Sequence, residues 1–332
     1  MGVPVSLALV LALRAGAGAD TLSAVELFGL RTVREAVVRE AIGLNPGDPV
    51  PESAGLIRAR VRAIPGVADV DVTSTCCAED GGTILYVGIR EVGTPAPAYR
   101  AAPTGASRLP ADVVVEGEAF YRALERAVRR GAADEDDSRG YALARDSAMR
   151  VVQRRFIRFA ADRFDTLRRV LHTSADAGHR ALAAQIIAYG ADRRAVVREL
   201  LYAANDPADD VRNSAVRALA VLAQWANRHP EANVHIRADA FLGFLNSASW
   251  TDRNKGALAL LALTASRNPA LLSKLRSDAL PSLAEMARWK TPAHALVPFR
   301  ILARVAGLDD AAALRAWEAG ERETVIARAM SR

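Results

Sequence analysis

Hydrophobic residues follow two different periods in the first part of this chain. In some segments they alternate with polar residues, which predicts β-strands, and in others they recur every three or four positions, which predicts amphipathic helices. Gly43 ends the first of these helices and Pro65-Gly66 ends the second. The predicted elements are a strand at 25–30, helices at 33–42 and 54–64, and strands at 67–77 and 84–92. Their order is β-α-α-β-β.

Particular residues specify the ends and faces of these elements. Thr32-Val33-Arg34-Glu35 has the spacing of a capping box, so the first helix is expected to begin there. Val70 and Val72 face inward on the second strand, and the same alternation would bury Cys76 and expose Cys77. Neighbouring cysteines rarely bond to each other because the geometry strains the intervening peptide. Two thiols are therefore expected.

The element order, the glycine after the first strand, the motif IPGVADVDV and a last strand ending in Glu91 resemble the POTRA domain of secreted and outer-membrane assembly proteins. The resemblance covers residues 25–92. It implies a small docking module, which in that family recruits peptides by adding a strand to the sheet edge. A domain that merely anchors or caps the rest of the chain is the alternative.

A proline-rich stretch follows this module. Residues 93–110 hold Pro95, Pro97, Pro103 and Pro110 among small and polar residues, which suits neither a helix nor a central strand. The linker is therefore placed at 93–114. Helical periods then predict a helix at 116–130 and a long helical segment at 141–171, and the acidic residues 134–137 between them are expected to form a solvated loop.

The clearest helical pattern of the chain starts at Asp206. Its carboxylate is predicted to cap the first turn, with Pro207 at the next position. Val211 and the small residues that follow it at three- and four-residue spacing form a dry face. Arg212 and Arg217 fall on the opposite, wet face. The alanines of the dry face would allow a neighbouring helix to approach closely.

This register returns along the chain. Arg253-Asn254 repeats Arg212-Asn213, and first helices of each pair are predicted at 195–203, 235–245 and 280–288. Since one helix pair cannot bury its own apolar face, stacked pairs are expected to share a continuous core. The four copies of the register are Ala183, Ile186 and Ile187; Ala215, Ala218 and Leu219; Gly256, Ala259 and Leu260; and Val297, Arg300 and Ile301.

These copies resemble the HEAT-repeat family, and the one that starts Asp206-Pro207 with Val211-Arg212 is the most specific. The resemblance implies an α-solenoid that binds proteins, and it does not imply an enzyme. The expected fold is mainly α: a HEAT-like α-solenoid at 115–332, preceded by the POTRA-like α/β domain at 20–92. Packing between repeats, or else binding of a partner, is expected of Trp225, Trp250, Trp289 and Trp317.

The N-terminal residues indicate the cellular compartment of the protein. Residues 1–19 pair an apolar run with small residues before Asp20, which is typical of a secretory signal peptide, although no Lys or Arg precedes the run. Export to the periplasm or outside the cell is therefore expected. A buried N-terminal helix is the alternative.

The formal net charge of +6 is concentrated in one segment. Residues 145–169 hold eight basic and three acidic side chains, and Arg150, Arg154 and Arg158 form one stripe of the predicted helix, with Arg155 beside it. These four arginines are the candidate partner-binding residues. Three alternatives are a solvated, ion-paired face, a site for an acidic protein or an anionic membrane surface, and, least favoured because no aromatic residues are interleaved, a nucleic-acid site.

No catalytic motif is visible in the sequence. There is no nucleophile elbow or phosphate-binding glycine loop, and no histidine pair has metal-binding spacing, so neither a cofactor nor a metal is expected. The sequence predicts an exported, non-enzymatic adaptor whose solenoid binds a protein or peptide. One alternative is an enzyme similar to the HEAT-like bilin lyases, suggested by the repeat that starts at Asp206. Another is a basic intracellular scaffold.

Overall fold

A computed structural model describes residues 21–76 and 78–331, so the predicted signal peptide and Cys77 lie outside the described residues. The described part is mainly helical, and no helix in it is long and apolar enough to cross a membrane. In chain order the elements are β1 (Leu22–Phe28), α1 (Glu35–Ile42), α2 (Ala54–Arg62), β2 (Val67–Cys76), β3 (Thr83–Glu91), α3 (Ala111–Arg129), β4 (Glu135–Asp136), β5 (Leu143–Ala144), α4 (Ser147–Asp162), α5 (Phe164–Thr173), α6 (Ala177–Ile187), α7 (Arg193–Ala203), α8 (Asp209–Arg228), α9 (Asp239–Leu242), α10 (Trp250–Leu263), α11 (Pro269–Asp278), α12 (Leu280–Ala287), α13 (Pro292–Val305), α14 (Asp310–Glu318) and α15 (Arg322–Met330).

These elements fall into two compact units. Among the described residues, one unit is the single stretch 98–240, and the other combines residues 21–97 with residues 241–331. The boundaries drawn from the sequence left the α/β module as a separate body and kept 115–332 together. The structure instead groups that module with the last helices of the chain.

The α/β module has the β-α-α-β-β order predicted from its sequence. Its sheet has the order β1-β3-β2, with β3 parallel to β1 and antiparallel to β2. One face of the sheet packs against α1 and α2 around Val38, Ile57 and Val87. Gly43 ends α1 in the left-handed conformation, with φ of 65°, as expected for a helix that stops at glycine.

The predicted capping box is wrong. Helix α1 begins at Glu35, and no side chain caps its first turn. The backbone N–H groups of Arg31, Thr32 and Val33 instead donate to the carboxylate of Glu91, at 2.7 to 3.0 Å, because the end of β3 lies beside this loop. Burial raises the pKa of Glu91, but these hydrogen bonds outweigh it and lower the pKa to about 2.

The opposite face of the sheet is also buried. Tyr86 stacks on Trp250 at 5.0 Å between ring centroids, and Phe28 meets Trp289 edge-on at 5.7 Å. Trp250 and Trp289 are thus packed against the sheet of their own compact unit. Gly88 lies on the same face, where an added Cβ would sit 1.9 Å from the carbonyl oxygen of Ala248. Strand β3 is therefore enclosed on both faces, which a one-sided alternating pattern does not predict.

Cys76 is disulfide-bonded, so the expectation of a thiol at this position is wrong. The only other cysteine of the chain, Cys77, lies outside the described residues. Cys76 is also only half-buried, and Thr75 takes the buried position that the alternation had assigned to it.

In the unit 98–240, residues 98–110 are held against the helices. The N–H of Arg100 donates to the carbonyl of Asn205 at 2.8 Å, and the N–H of Leu109 donates to the Nδ1 atom of His179 at 2.9 Å. Helix α3 then begins at Ala111, inside the stretch expected to be linker. The long segment predicted at 141–171 is two helices, α4 and α5, because Arg163 between them leaves the helical conformation.

The prediction of a solvated loop at residues 134–137 is only partly right, because Asp134 and Asp136 are exposed but the other two acidic residues form ion pairs. Glu135 belongs to β4 and pairs with Arg217 of α8, and both side chains are at least nine-tenths buried. Asp137 pairs with Arg228 at 3.0 Å. The prediction failed for these two residues because their countercharges come from a helix that follows them by about 80 residues.

Helix pairs occur in both units. In 98–240, α6 packs against α5 and α8, and α7 packs against α8. In the other unit, α13 packs against α10 and α12. The helices predicted at 195–203 and 280–288 correspond to α7 and α12. The one predicted at 235–245 is reduced to the four-residue α9 and a 3₁₀ turn at 243–246.

Candidate interaction surface

Helix α4 carries the four arginines predicted to bind a partner. The side chain of Asp146 caps its start by accepting from the N–H of Met149 at 3.0 Å. Met149, Val152, Phe156 and Ala160 form its buried face. The opposite face is exposed to solvent. Its residues recur every three or four positions, with the same helical period as the buried residues.

The four arginines divide into two groups. Arg150 is half-buried and donates from Nε to the carbonyl of Ala144 at 2.7 Å, and Arg155 forms an ion pair with Glu116. Arg154 and Arg158 are exposed, and no acidic side chain within residues 21–76 and 78–331 forms an ion pair with either. The four arginines therefore do not form a single stripe. Arg154 and Arg158, one helical turn apart, are the two that have no ion pair with a described residue.

An apolar side chain adjoins these two arginines. Val151 lies on the same stripe, three residues before Arg154, and is 51% exposed. Farther along the chain, Arg163 pairs with Asp112 at 2.8 Å, so part of the positive charge of this segment is already neutralised. We define the basic stripe as Val151, Arg154 and Arg158.

The repeat signature has a different role from the one predicted. Helix α8 starts at Asp209 with Ala208 as its N-cap, so the prediction that Asp206 caps it is wrong. The Asp206 carboxylate is fully buried and accepts from Arg180 through Nε and Nη2, both at 2.8 Å. It also accepts from Arg100. The same carboxylate also accepts from the N–H of Ala208 at 2.9 Å, so its contact with the start of α8 is limited to the residue before the first turn.

The predicted wet face of α8 is also wrong. Arg212 and Arg217 are about 95% buried, and the helix is buried on nearly all sides from Val211 to Ala223. Arg212 donates to the carbonyl of Asp206 at 2.8 Å and to that of Pro207 at 2.9 Å. Arg217 forms an ion pair with Glu135, so each of the two buried arginines has a polar partner.

One arginine position recurs in three helices. Arg180, Arg212 and Arg253 are each the fourth residue of α6, α8 and α10. Each donates to the carbonyl of the residue six positions earlier, at 2.7 to 2.9 Å. The match between Arg212 and Arg253 was predicted from the sequence, but Arg180 was missed. The signal was present, since all three arginines precede the small residue of the repeat register by three positions.

A buried polar pair was also missed. The hydroxyl of Tyr86 lies 2.7 Å from Nδ1 of His294, next to Trp250. Burial first of all, together with the positive charge of Lys255, lowers the pKa of His294 to about 3. His294 is therefore neutral at physiological pH. No group of three or more His, Cys, Asp or Glu residues in the described part of the chain is placed to hold a metal ion.

Comparison with known proteins identifies no relative of this chain by sequence. No family model matches it, and no curated protein does. Among solved structures, a designed armadillo repeat protein shares 16% identity over 57% of this chain and 94% of its own, with a TM-score of 0.33. An engineered protein shares 18% identity over 67% of this chain and 96% of its own, with a TM-score of 0.35. Both scores are low, so the mainly helical architecture rests on the helices described above.

Proposed function

We propose that this protein is an exported, non-enzymatic scaffold whose helical repeats, in a HEAT-like solenoid, bind an acidic protein segment at the basic stripe. The observation that carries this proposal is the exposure of Arg154 and Arg158 without an ion pair among the described residues. Arginines one helical turn apart face the same direction, so two carboxylates of one partner can meet them together. Val151 supplies an apolar contact at the same place.

The basic stripe favours an acidic protein over nucleic acid. No aromatic side chain belongs to the stripe, so it offers no base-stacking surface. Two unpaired arginines also neutralise too few phosphates for the strong electrostatic binding that nucleic acid usually shows. The partner is therefore expected to present a short acidic and apolar surface.

The POTRA-like module is proposed as a second docking element. Its β-α-α-β-β order and the central position of β3 support this resemblance, and β2 and β1 form the two edges of the sheet. The start of β1 is already covered, since Thr21 bridges to Pro49 and the N–H of Leu22 donates to Asp48. Strand addition is accordingly proposed at β2.

Charge reversal tests the basic stripe. We expect the double variant Arg154→Glu/Arg158→Glu to lose the partners that the wild-type protein captures by cross-linking in cells, because like charges now meet. Arg194→Glu is the matched control, since Arg194 is an exposed arginine of α7 whose side chain pairs with no described acidic residue. Capture should weaken as salt is raised. A partner set that is identical in wild type and double variant would contradict the proposal.

Two further measurements separate the alternatives. Sedimentation with phosphatidylglycerol vesicles that depends on Arg154 and Arg158 would assign the basic stripe to a membrane surface instead of a protein. Export predicts that the protein isolated from cells starts at Asp20, and N-terminal sequencing determines this directly. A mature protein that retains residues 1–19 would contradict export.

A further inference from the structure

A small cavity lies where the loop after β1 meets α12, inside the unit of residues 21–97 and 241–332. Its volume is about 120 Å³. The polar side chains that matter for its chemistry are Arg31, Thr94, Arg253, Ser282 and Glu285. The α/β module contributes the first two and the helices contribute the other three.

Arg253 brings an unusual charge to this cavity because its side chain is only 2% exposed. Its Nε donates to the carbonyl of Ser247 and its Nη1 to Glu285, both at 2.7 Å, and its guanidinium lies over the Phe28 ring at 4.6 Å. No atom in residues 21–76 and 78–331 accepts a hydrogen bond from its Nη2. A buried guanidinium group thus keeps donors available beside the cavity.

The single carboxylate in the cavity is already engaged. Glu285 accepts from the N–H of Gly29 through Oε1 and from Arg253 through Oε2, each at 2.7 Å. Arg31 is exposed, and its side chain forms no ion pair with a described residue. Two guanidinium groups and one carboxylate leave the lining with one net positive charge. Burial is the main cause that lowers the pKa of Arg253, and the positive charge of Arg31 also lowers it. The negative charge of Glu285 raises the pKa of Arg253 and so opposes both effects.

The loop that carries Arg31 is fixed in place. The Glu91 carboxylate holds the backbone N–H groups of residues 31–33. Gly29 has φ of 85°, and an added Cβ would lie 2.0 Å from the carbonyl oxygen of Ile89, so only glycine allows this approach. A site whose backbone is already ordered loses little conformational entropy when a ligand binds.

We propose that this cavity binds one carboxylate group between Arg31 and Arg253. A monoanion balances the single excess charge, whereas a dianion would add a second negative charge close to Glu285. A carboxylate also matches the planar donor geometry of guanidinium groups. The cavity volume far exceeds the roughly 10–15 Å³ that one water needs by the same measure, so a carboxylate group fits in it.

Such a carboxylate can come from the C-terminus of a polypeptide or from a free short-chain acid. This inference is independent of the proposed role of the basic stripe, because no residue of α4 lines the cavity. Either proposal can fail while the other stands. Three probes distinguish the sources: the peptide Gly-Gly-Ala with a free C-terminus, the same peptide with an amidated C-terminus, and sodium propionate.

The test is isothermal titration of the full chain with each probe. Binding of the free-acid peptide but not of its amide supports the proposal with a chain end as the source. Binding of propionate without the peptide supports it with a free acid as the source. Binding of none of the three, or equal binding of the peptide and its amide, overturns the proposal.

Variants then locate the site. Arg31→Gln should weaken binding of the effective probe about tenfold, which corresponds to the loss of one charge-assisted interaction. Arg34→Gln is the matched control, because Arg34 is an exposed arginine close to the same loop that does not line the cavity. Arg253 is left unchanged, since it also supports the fold. Equal affinity of wild type and Arg31→Gln overturns the proposal.

Discussion

At the scale of the residue, Asp206 gathers three arginines around a position that solvent does not reach. Its carboxylate accepts from Arg180 and Arg100, and its backbone carbonyl accepts from Arg212. Arg100 also lies over the Tyr202 ring at 4.3 Å. The carboxylate therefore joins the segment 98–110 to helix α6, and its charge compensates the buried Arg180 and the partly buried Arg100.

Removal of this charge is expected to be costly. Asp206→Asn leaves Arg180 buried with no compensating charge, so we expect the free energy of unfolding to fall by about 3–5 kcal/mol. Urea denaturation followed by far-UV circular dichroism measures the change. Asp209→Asn is the control, since Asp209 is exposed in the first turn of α8 and its loss should cost about 1 kcal/mol or less. Equal losses in both variants would show that Asp206 has no special role.

The identity of Asp206 as a key residue could be predicted from the sequence, but its role could not. An aspartate before a helical period can cap the helix or pair with a distant cation, and the local sequence looks the same in both cases. Arg100 precedes Asp206 by 106 residues and Arg180 precedes it by 26. Pairing at such distances depends on how the helices pack, which hydrophobic periodicity does not encode. The burial of Arg212 and Arg217 was missed for the same reason.

At the scale of the element, β3 is the central strand of its sheet and is enclosed on both faces. Helices α1 and α2 cover one face, and Tyr86 on the other face packs with Trp250 and Trp289. Gly88 allows this second contact because its missing side chain makes room for the Ala248 carbonyl and for Phe28. The strand thus holds the α/β module and α10 together.

A single methyl group should disturb this contact. In Gly88→Ala the new Cβ would lie 1.9 Å from the Ala248 oxygen and 2.4 Å from the Phe28 ring, so the backbone must shift. We expect a loss of about 1–3 kcal/mol, the usual cost of overpacking, seen as a lower Tm in thermal unfolding. Gly243→Ala is the control because its Cβ would meet nothing within 4 Å. An unchanged Tm for Gly88→Ala would contradict the close approach.

Helices with a strong hydrophobic period were predicted well. The positions at which a helix ends or is interrupted were not. The repeat register corresponds to helices α6, α8, α10 and α13, and Gly43 ends α1 as expected. The break at Arg163 was missed because no proline or glycine marks it, whereas the helix predicted at 235–245 ran through Gly243, which directly follows the short α9. Four arginines of α4 were predicted to bind a partner, and packing leaves two of them, Arg154 and Arg158, exposed and without an ion pair to a described residue.

At the scale of the whole molecule, the two compact units differ in how the chain builds them. Residues 98–240 form one unit from a single stretch, whereas the other unit needs both 21–97 and 241–332. In the second unit the aromatic face of the sheet, with Phe28 and Tyr86, is completed by side chains from the last helices. The sequence suggested an autonomous α/β domain because packing of one sheet face against α1 and α2 is enough to explain the alternation of hydrophobic and polar residues in the strands.

Fragments should therefore behave differently. A fragment of residues 98–240 should fold alone, with helical circular dichroism and a cooperative thermal transition. A fragment of residues 21–97 should bind the dye ANS, because its aromatic face is exposed, and should lose this binding when the fragment 241–332 is added. A fragment 21–97 with well-dispersed amide NMR signals and no ANS binding would contradict this expectation.

The discontinuous unit also has a consequence for synthesis on the ribosome. The strands that carry Phe28 and Tyr86 emerge early, but Trp250 and Trp289 are translated more than 150 residues after Tyr86. At about 5–20 residues per second, the sheet waits on the order of ten seconds or more for its cover. During that interval its aromatic side chains are available to chaperones and to neighbouring nascent chains, so the yield of folded protein should depend on how quickly the residues between Tyr86 and Trp289 are made.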